Sequence, residues 1–138
     1  MQVQTYLNFN GRCEEAIEFY KKAVGAKVGM MMRFKDAPEQ SENCKPADQN
    51  KVMHSSFNIG DTLLMATDGM LNGDKVAFDG FSLSLNCKDA ADVDAKLAAL
   101  AEGGTITMPG AETFFAKKFA MAKDKFGVNW IVIAPKPM

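Results

Sequence analysis

His54 is the one histidine of this 138-residue chain. In Val52-Met53-His54-Ser55-Ser56-Phe57 it shares a strand face with the small polar Ser56. Imidazole moves protons near neutral pH, so His54 is a candidate acid, base or pocket-lining group. A purely structural hydrogen-bonding role is the competing reading. Glu112 lies in GAETFFA, beside Phe114 and Phe115. Apolar neighbours would desolvate its carboxylate and raise its pKa into the general-base range. The competing reading is a loop glutamate paired with Lys117 or Lys118 in water. Cys13, Cys44 and Cys87 are odd in number, far apart and without a CxxC pair. They suit a reducing compartment better than a disulfide framework or a structural zinc site. Cys13 and Cys87 read as small hydrophobes, and Cys44 as a thiol in a polar loop that supplies no base. Asp61, Asp68 and Asp124 fall at turns, where carboxylates cap backbone N–H groups.

Other chemistries lack their signatures. The chain has no GxGxxG, GxxxxGK[ST], GxSxG or HExxH. A formal net charge of -1, with scattered Lys and Arg, argues against a nucleic-acid partner. No run approaches the roughly 20 apolar residues of a membrane span, so no membrane partner is expected. MQVQTYLNF has no basic n-region or apolar h-region, and a cytoplasmic location is expected. With 47% apolar and 24% charged residues, the composition is that of a soluble globular protein.

These candidates must be positioned by a repeated unit. Residues 6–28, YLNFNGRCEEAIEFYKKAVGAKV, are echoed by residues 81–106, FSLSLNCKDAADVDAKLAALAEGGTI. Val3, Thr5, Leu7 and Phe9 alternate as a strand. Cys13, Ala16, Ile17, Tyr20 and Val24 then form a helical stripe, with Glu18–Lys22 as an i,i+4 pair and Gly25 as the stop. A second strand covers 26–34, a polar loop 36–50 reads as a structureless segment or a lid, and a hairpin turns at Ile59-Gly60-Asp61. After a linker at 68–80 come strand 81–87, a helix capped by Asp89, strand 105–108, and strands 117–123 and 128–134. The expected fold class is α+β: one domain, 1–138, of two βαβββ modules at about 1–70 and 78–138. Neither module buries its apolar sheet face alone. Together they should make a curved mixed sheet, with helices outside and a ligand-accepting cup inside.

The motifs YLNFNG, KVMHSSFNIGDTLLMATD, MPGAETFFAKKFAM and DKFGVNW, in that order, resemble the PhnB-like branch of the vicinal oxygen chelate superfamily. That superfamily includes glyoxalase I, bleomycin-resistance proteins, fosfomycin-resistance enzymes and extradiol dioxygenases. The resemblance implies one metal ligand on each of four strands, at positions held here by Gln4 (or Thr5), Met65, Ser82 and Val132. Only Gln4 can ligate a hard or borderline cation, so the resemblance points to a metal-free cup with no cofactor; a divalent metal would need other positions. It also places Leu63, Met65, Trp130 and Val132 on an apolar cup wall, with Tyr6 and Asn8 as polar points and Phe115 beside Glu112. Some members of the branch carry a ubiquinone-methyltransferase label. This chain has no glycine-rich βα turn for S-adenosylmethionine and is short for a doubly wound fold. The implied protein is a homodimer that binds a small apolar or amphipathic molecule. The alternative is an acid/base or metal-dependent enzyme using His54 or Glu112 at a non-standard site.

Overall fold

Apolar alternation and glycine punctuation cut the chain into two copies of one element order. The computed structural model describes residues 1–37, 45–69 and 75–137. It divides into two compact units, Met1–Val76 and Ala77–Met138, with the boundary inside the expected linker. The first unit runs β1 (Thr5–Asn8), α1 (Cys13–Val24), β2 (Lys27–Arg33), β3 (Val52–Ile59) and β4 (Thr62–Thr67). The second runs β5 (Leu83–Asn86), α2 (Ala90–Leu100), β6 (Thr105–Ala111), β7 (Ala116–Lys123) and β8 (Asn129–Pro135). Strand order is β1-β4-β3-β2 in one sheet and β5-β8-β7-β6 in the other. The first and last strands of each unit pair parallel, and the remaining pairs are antiparallel. This is the tandem βαβββ, α+β architecture expected from the repeat.

Each helix covers one face of its own sheet. In α1 the residues at helical spacing, Cys13, Ala16, Ile17, Tyr20 and Val24, are all buried. Tyr20 stacks on Phe57 of β3 at 6.2 Å between ring centroids. Full burial of Ile17 and Tyr20 contributes about 2 kcal/mol for each side chain. Gly25 ends the helix at φ 70°, a left-handed C-cap that donates its N–H to the Tyr20 carbonyl. On the exposed side Glu18 pairs with Lys21, at 2.8 Å and i,i+3, in place of the expected Glu18–Lys22. In α2, Asp89 accepts the Asp92 N–H at 2.8 Å while the Asp92 carboxylate accepts the Lys88 N–H at 3.2 Å. Val93, Leu97 and Leu100 form the buried stripe. Gly104 follows because a Cβ there would collide with the Lys123 carbonyl and the Asp124 backbone.

The N-terminus of α1 is held from outside the helix. Arg12, at the N-cap, makes no side-chain cap. Instead the buried Asp68, just after β4, accepts the N–H groups of Gly11 at 2.7 Å and Cys13 at 2.8 Å through one oxygen. Its other oxygen accepts the Val52 N–H at 2.8 Å. One carboxylate thus ties the β1–α1 turn, the start of β3 and the end of β4. Asp124 does comparable work in the second unit, accepting the N–H groups of Phe126 and Val128 and the Trp130 indole N–H at 2.9 Å.

Several boundaries differ from the expectation. β1 begins at Thr5, and Val3 is almost fully exposed, outside the strand. β6 does not stop at 108 but continues through Pro109-Gly110 to Ala111. An outer strand tolerates proline, because its missing N–H can face away from the ladder. The outer strands β2 and β6 carry matching register breaks, at Val28/Met30 and Ile106/Met108. The 36–50 stretch is structured at its ends: Phe34–Asp36 and Pro46–Asp48 form 3-10 turns, and the Phe34 and Lys35 N–H groups bond the carbonyls of Lys51 and Gln49. The middle of that stretch and Cys44 lie outside the described residues.

Replacing Asp68 with Ala leaves buried N–H donors without an acceptor. We expect the loss of unfolding free energy to be about 3 kcal/mol in urea denaturation, with an unchanged far-UV spectrum at zero denaturant. A change within experimental error would show that Asp68 does not organise the unit.

Candidate functional site

Strand pairing decides which side chains share the face opposite each helix. In the first unit Tyr6 lies beside Met65, Met65 beside Ser56, and Ser56 beside Met30, in one row across the sheet. His54 pairs with Met32 in the next row. Leu7, Ser55, Phe57, Leu64 and Ala66 take the other face and are buried. Tyr6, His54, Met30, Met32 and Met65 therefore line the open face. Tyr6 is 50% exposed and Met30 41%.

The polar centre of this face is a pair that spans β4. The Tyr6 hydroxyl and His54 Nδ1 share a hydrogen bond of 2.7 Å, with ring centroids 5.5 Å apart. The bond fixes the imidazole, and Nε2 makes no hydrogen bond among the described residues. Asn8 is directed toward its own turn, where its carbonyl oxygen accepts the Asn10 N–H at 2.9 Å. Tyr6, His54 and Met65, each singled out from the sequence, thus meet on one surface.

Glu112 belongs to the second unit, and its environment is the solvated ion pair of the competing reading, not the desolvated one. It is exposed, and its carboxylate bonds Lys136 Nζ at 2.7 Å. The lysine hydrogen bond and charge hold its pKa below the ordinary carboxylate value, away from the general-base range. Its partner is Lys136, not Lys117 or Lys118. Phe115 is half-buried in an edge-to-face series with Phe114 at 5.1 Å and Phe119 at 5.5 Å.

Trp130 is not on the open face. It is 2% exposed, and with Val132 and Ala134 it packs on the face of β8 that α2 covers. The open-face residues of β8 are Asn129, Ile131 and Ile133, so the expected cup-wall register is off by one. The same inversion removes Val132 from any inward position.

A divalent metal does not fit the residues at the family ligand positions. Gln4 is exposed ahead of β1, Met65 offers a thioether, Ser82 a hydroxyl, and Val132 is buried under the helix. Among the described residues no group of three His, Cys, Asp or Glu side chains is arranged to hold a metal ion. A cavity of about 400 Å³ does exist near the α1 N-terminus, bordered by Gly11, Glu14, Lys51 and Asp68. Its charges are already engaged: Glu14 with Arg33 at 2.7 Å, Lys51 with the Gly11 carbonyl at 2.9 Å, and Asp68 with three N–H groups.

Cys13 and Cys87, the cysteines among the described residues, are buried and poorly suited as nucleophiles. Burial pushes the Cys13 thiol up to about 12, against a partial offset from its contact with Ser55. Burial likewise raises Cys87 to about 11, with Asp92 adding to the shift. A raised thiol pKa favours the folded state fully below the unfolded value of 9.0, and that preference is lost as pH climbs through 11 to 12. At pH 8 both thiols should therefore resist a disulfide reagent such as dithionitrobenzoate in the native protein and react at once in denaturant. Fast native labelling of either would contradict the buried placement.

Sequence reasoning missed Met30, Met32 and the Tyr6–His54 contact. The signal available was the alternation of β2 and β3, which sets Met30 and Met32 on the parity of His54 once the two strands are paired.

Comparison with known proteins agrees with this architecture over nearly the whole chain. Residues 1–133 match the family model described as 3-demethylubiquinone-9 3-methyltransferase. Protein YjdN of Escherichia coli is 32% identical, covering 96% of this chain and 94% of its own. The Bacillus cereus structure described as a putative 3-demethylubiquinone-9 3-methyltransferase, PhnB protein, is 27% identical with a TM-score of 0.80, over 97% of this chain and 99% of that one. A glyoxylase/bleomycin resistance protein/dioxygenase domain from Frankia sp. EAN1pec shares the fold at 16% identity and a TM-score of 0.67, over 99% and 98% of the two chains.

Proposed function

The chain belongs to the family described as 3-demethylubiquinone-9 3-methyltransferase, the PhnB-like branch of the vicinal oxygen chelate superfamily, and from that premise we propose that it binds a small apolar or amphipathic molecule on the open face around Tyr6 and His54. The observation that carries this reading is the 2.7 Å Tyr6–His54 hydrogen bond set among Met30, Met32, Leu63 and Met65. A few oriented polar groups on an apolar surface are the usual composition of a small-molecule site. Binding without turnover, as in antibiotic sequestration, needs no divalent metal. The same hydrogen bond favours a second reading, in which His54 transfers a proton and Tyr6 holds its ring, as an orienting partner does for a general base. Neither reading draws on Glu112, which lies in the second unit paired with Lys136. We further propose a cytoplasmic homodimer, the assembly from the family resemblance and the location from scattered cysteines that suit a reducing compartment. Among the described residues no helix is long and apolar enough to cross a membrane.

Thermal-shift screening against aromatic and amphipathic compounds tests the reading. A ligand present at a hundred times its Kd stabilises the protein by about 2.7 kcal/mol. Hits should weaken by about tenfold, or about 1.4 kcal/mol, in His54→Ala and persist in Glu112→Gln. A flat response across the panel, or hits indifferent to His54→Ala, would defeat it. Sedimentation should give twice the chain mass of 15.0 kDa.

A further inference from the structure

The donors missing for a hard cation are the right ones for a soft cation. Met32 is directly opposite His54, Met30 opposite Ser56, and Met65 opposite Ser56 from the other side. Directly opposed side chains on one sheet face have Cβ atoms about 5 Å apart, and diagonal neighbours about 7–8 Å. Methionine has three rotatable bonds with which to close those gaps. Three methionines thus neighbour one histidine on the same sheet face, where Met30 is 41% exposed. None of the four carries a negative charge, so a divalent ion would sit there uncompensated. A monovalent soft ion pairs with thioether and imidazole donors without needing one.

The Tyr6 hydrogen bond supplies the remaining requirement. A ligating imidazole uses one nitrogen for the metal and donates the other N–H to an oxygen that fixes ring and tautomer. In the tautomer whose Nδ1–H donates to the Tyr6 hydroxyl, 2.7 Å away, Nε2 keeps its lone pair for a ligand. We propose that His54 Nε2 and the sulfurs of Met30, Met32 and Met65 form a binding site for a soft monovalent cation of the Cu(I) and Ag(I) class. Tyr6 is its positioning residue. This site does not depend on the organic-ligand reading, although both use His54.

Silver(I), which needs no reductant, is the probe. The titration uses the 138-residue chain carrying Cys44→Ser, so that the Cys44 thiol does not compete. We expect one silver ion per chain, with shifts of the His54 Nε2 resonance and of the Met30, Met32 and Met65 methyl resonances. Met32→Leu and His54→Gln should each weaken binding tenfold or more. Tyr6→Phe should weaken it about 10–100-fold, the usual loss when an outer-shell partner is removed. Met121→Leu, in the second unit, should change nothing. Methionine and leucine are close in volume, so Met32→Leu keeps the apolar surface and removes only the sulfur. Should a variant fold poorly, the methyl shifts of the unsubstituted chain still report the site. Failure to retain silver, or retention unchanged in both Met32→Leu and His54→Gln, would overturn the assignment.

Discussion

The first unit depends on a single buried carboxylate. Asp68 is placed by the end of β4 and spends both oxygens on backbone N–H groups of segments 16 to 57 residues away. A hydrogen bond to a charged acceptor is worth about twice a neutral one. Three such bonds on one residue fix the helix start against the sheet without any cap supplied by Arg12. The orientation of α1 decides which sheet face is covered, and so which face is left for Tyr6 and His54. The open face is thus a consequence of Asp68 as much as of its own residues.

The same constraint explains the inert thiols. Cys13 donates its N–H to Asp68 and turns its sulfur toward Ser55, inside the seam between α1 and β3. A thiolate there would face a carboxylate across an apolar seam, and the group stays protonated. In the second unit Asp124 receives the Trp130 indole and locks β8 beneath α2. Each unit therefore has its own buried acceptor, satisfied by different segments. The duplication preserved the device while changing the partners.

Both helices were legible in the sequence because their apolar residues recur at three and four and their ends carry Gly25 and Asp89. The β3–β4 hairpin was legible from Gly60-Asp61 between two apolar runs. Facing along β8 was not, since Trp130-Ile131-Val132-Ile133-Ala134 is apolar at every position and offers no alternation. The register implied by the family resemblance puts Trp130 and Val132 on the open face, one residue out from where β8 sets them. The Tyr6–His54 bond escaped for a different reason: its partners are 48 residues apart and meet only because β4 lies between their strands. Of the two readings open for Glu112, the solvated ion pair is the one found; adjacency in sequence to Phe114 and Phe115 does not exclude water, and its partner Lys136 follows β8, too far along the chain to be foreseen.

The matching register breaks in β2 and β6 have a consequence for life in a crowded cell. Both strands are at the edge of their sheets and expose Val28, Met30, Ile106 and Met108. A straight apolar edge would invite any stray extended chain to zip onto it and nucleate aggregation. A bulge interrupts the ladder after one or two bonds, so an intruder never gains the continuous pairing that would hold it. The chain can therefore keep apolar side chains on its margins while its backbone resists acting as a template.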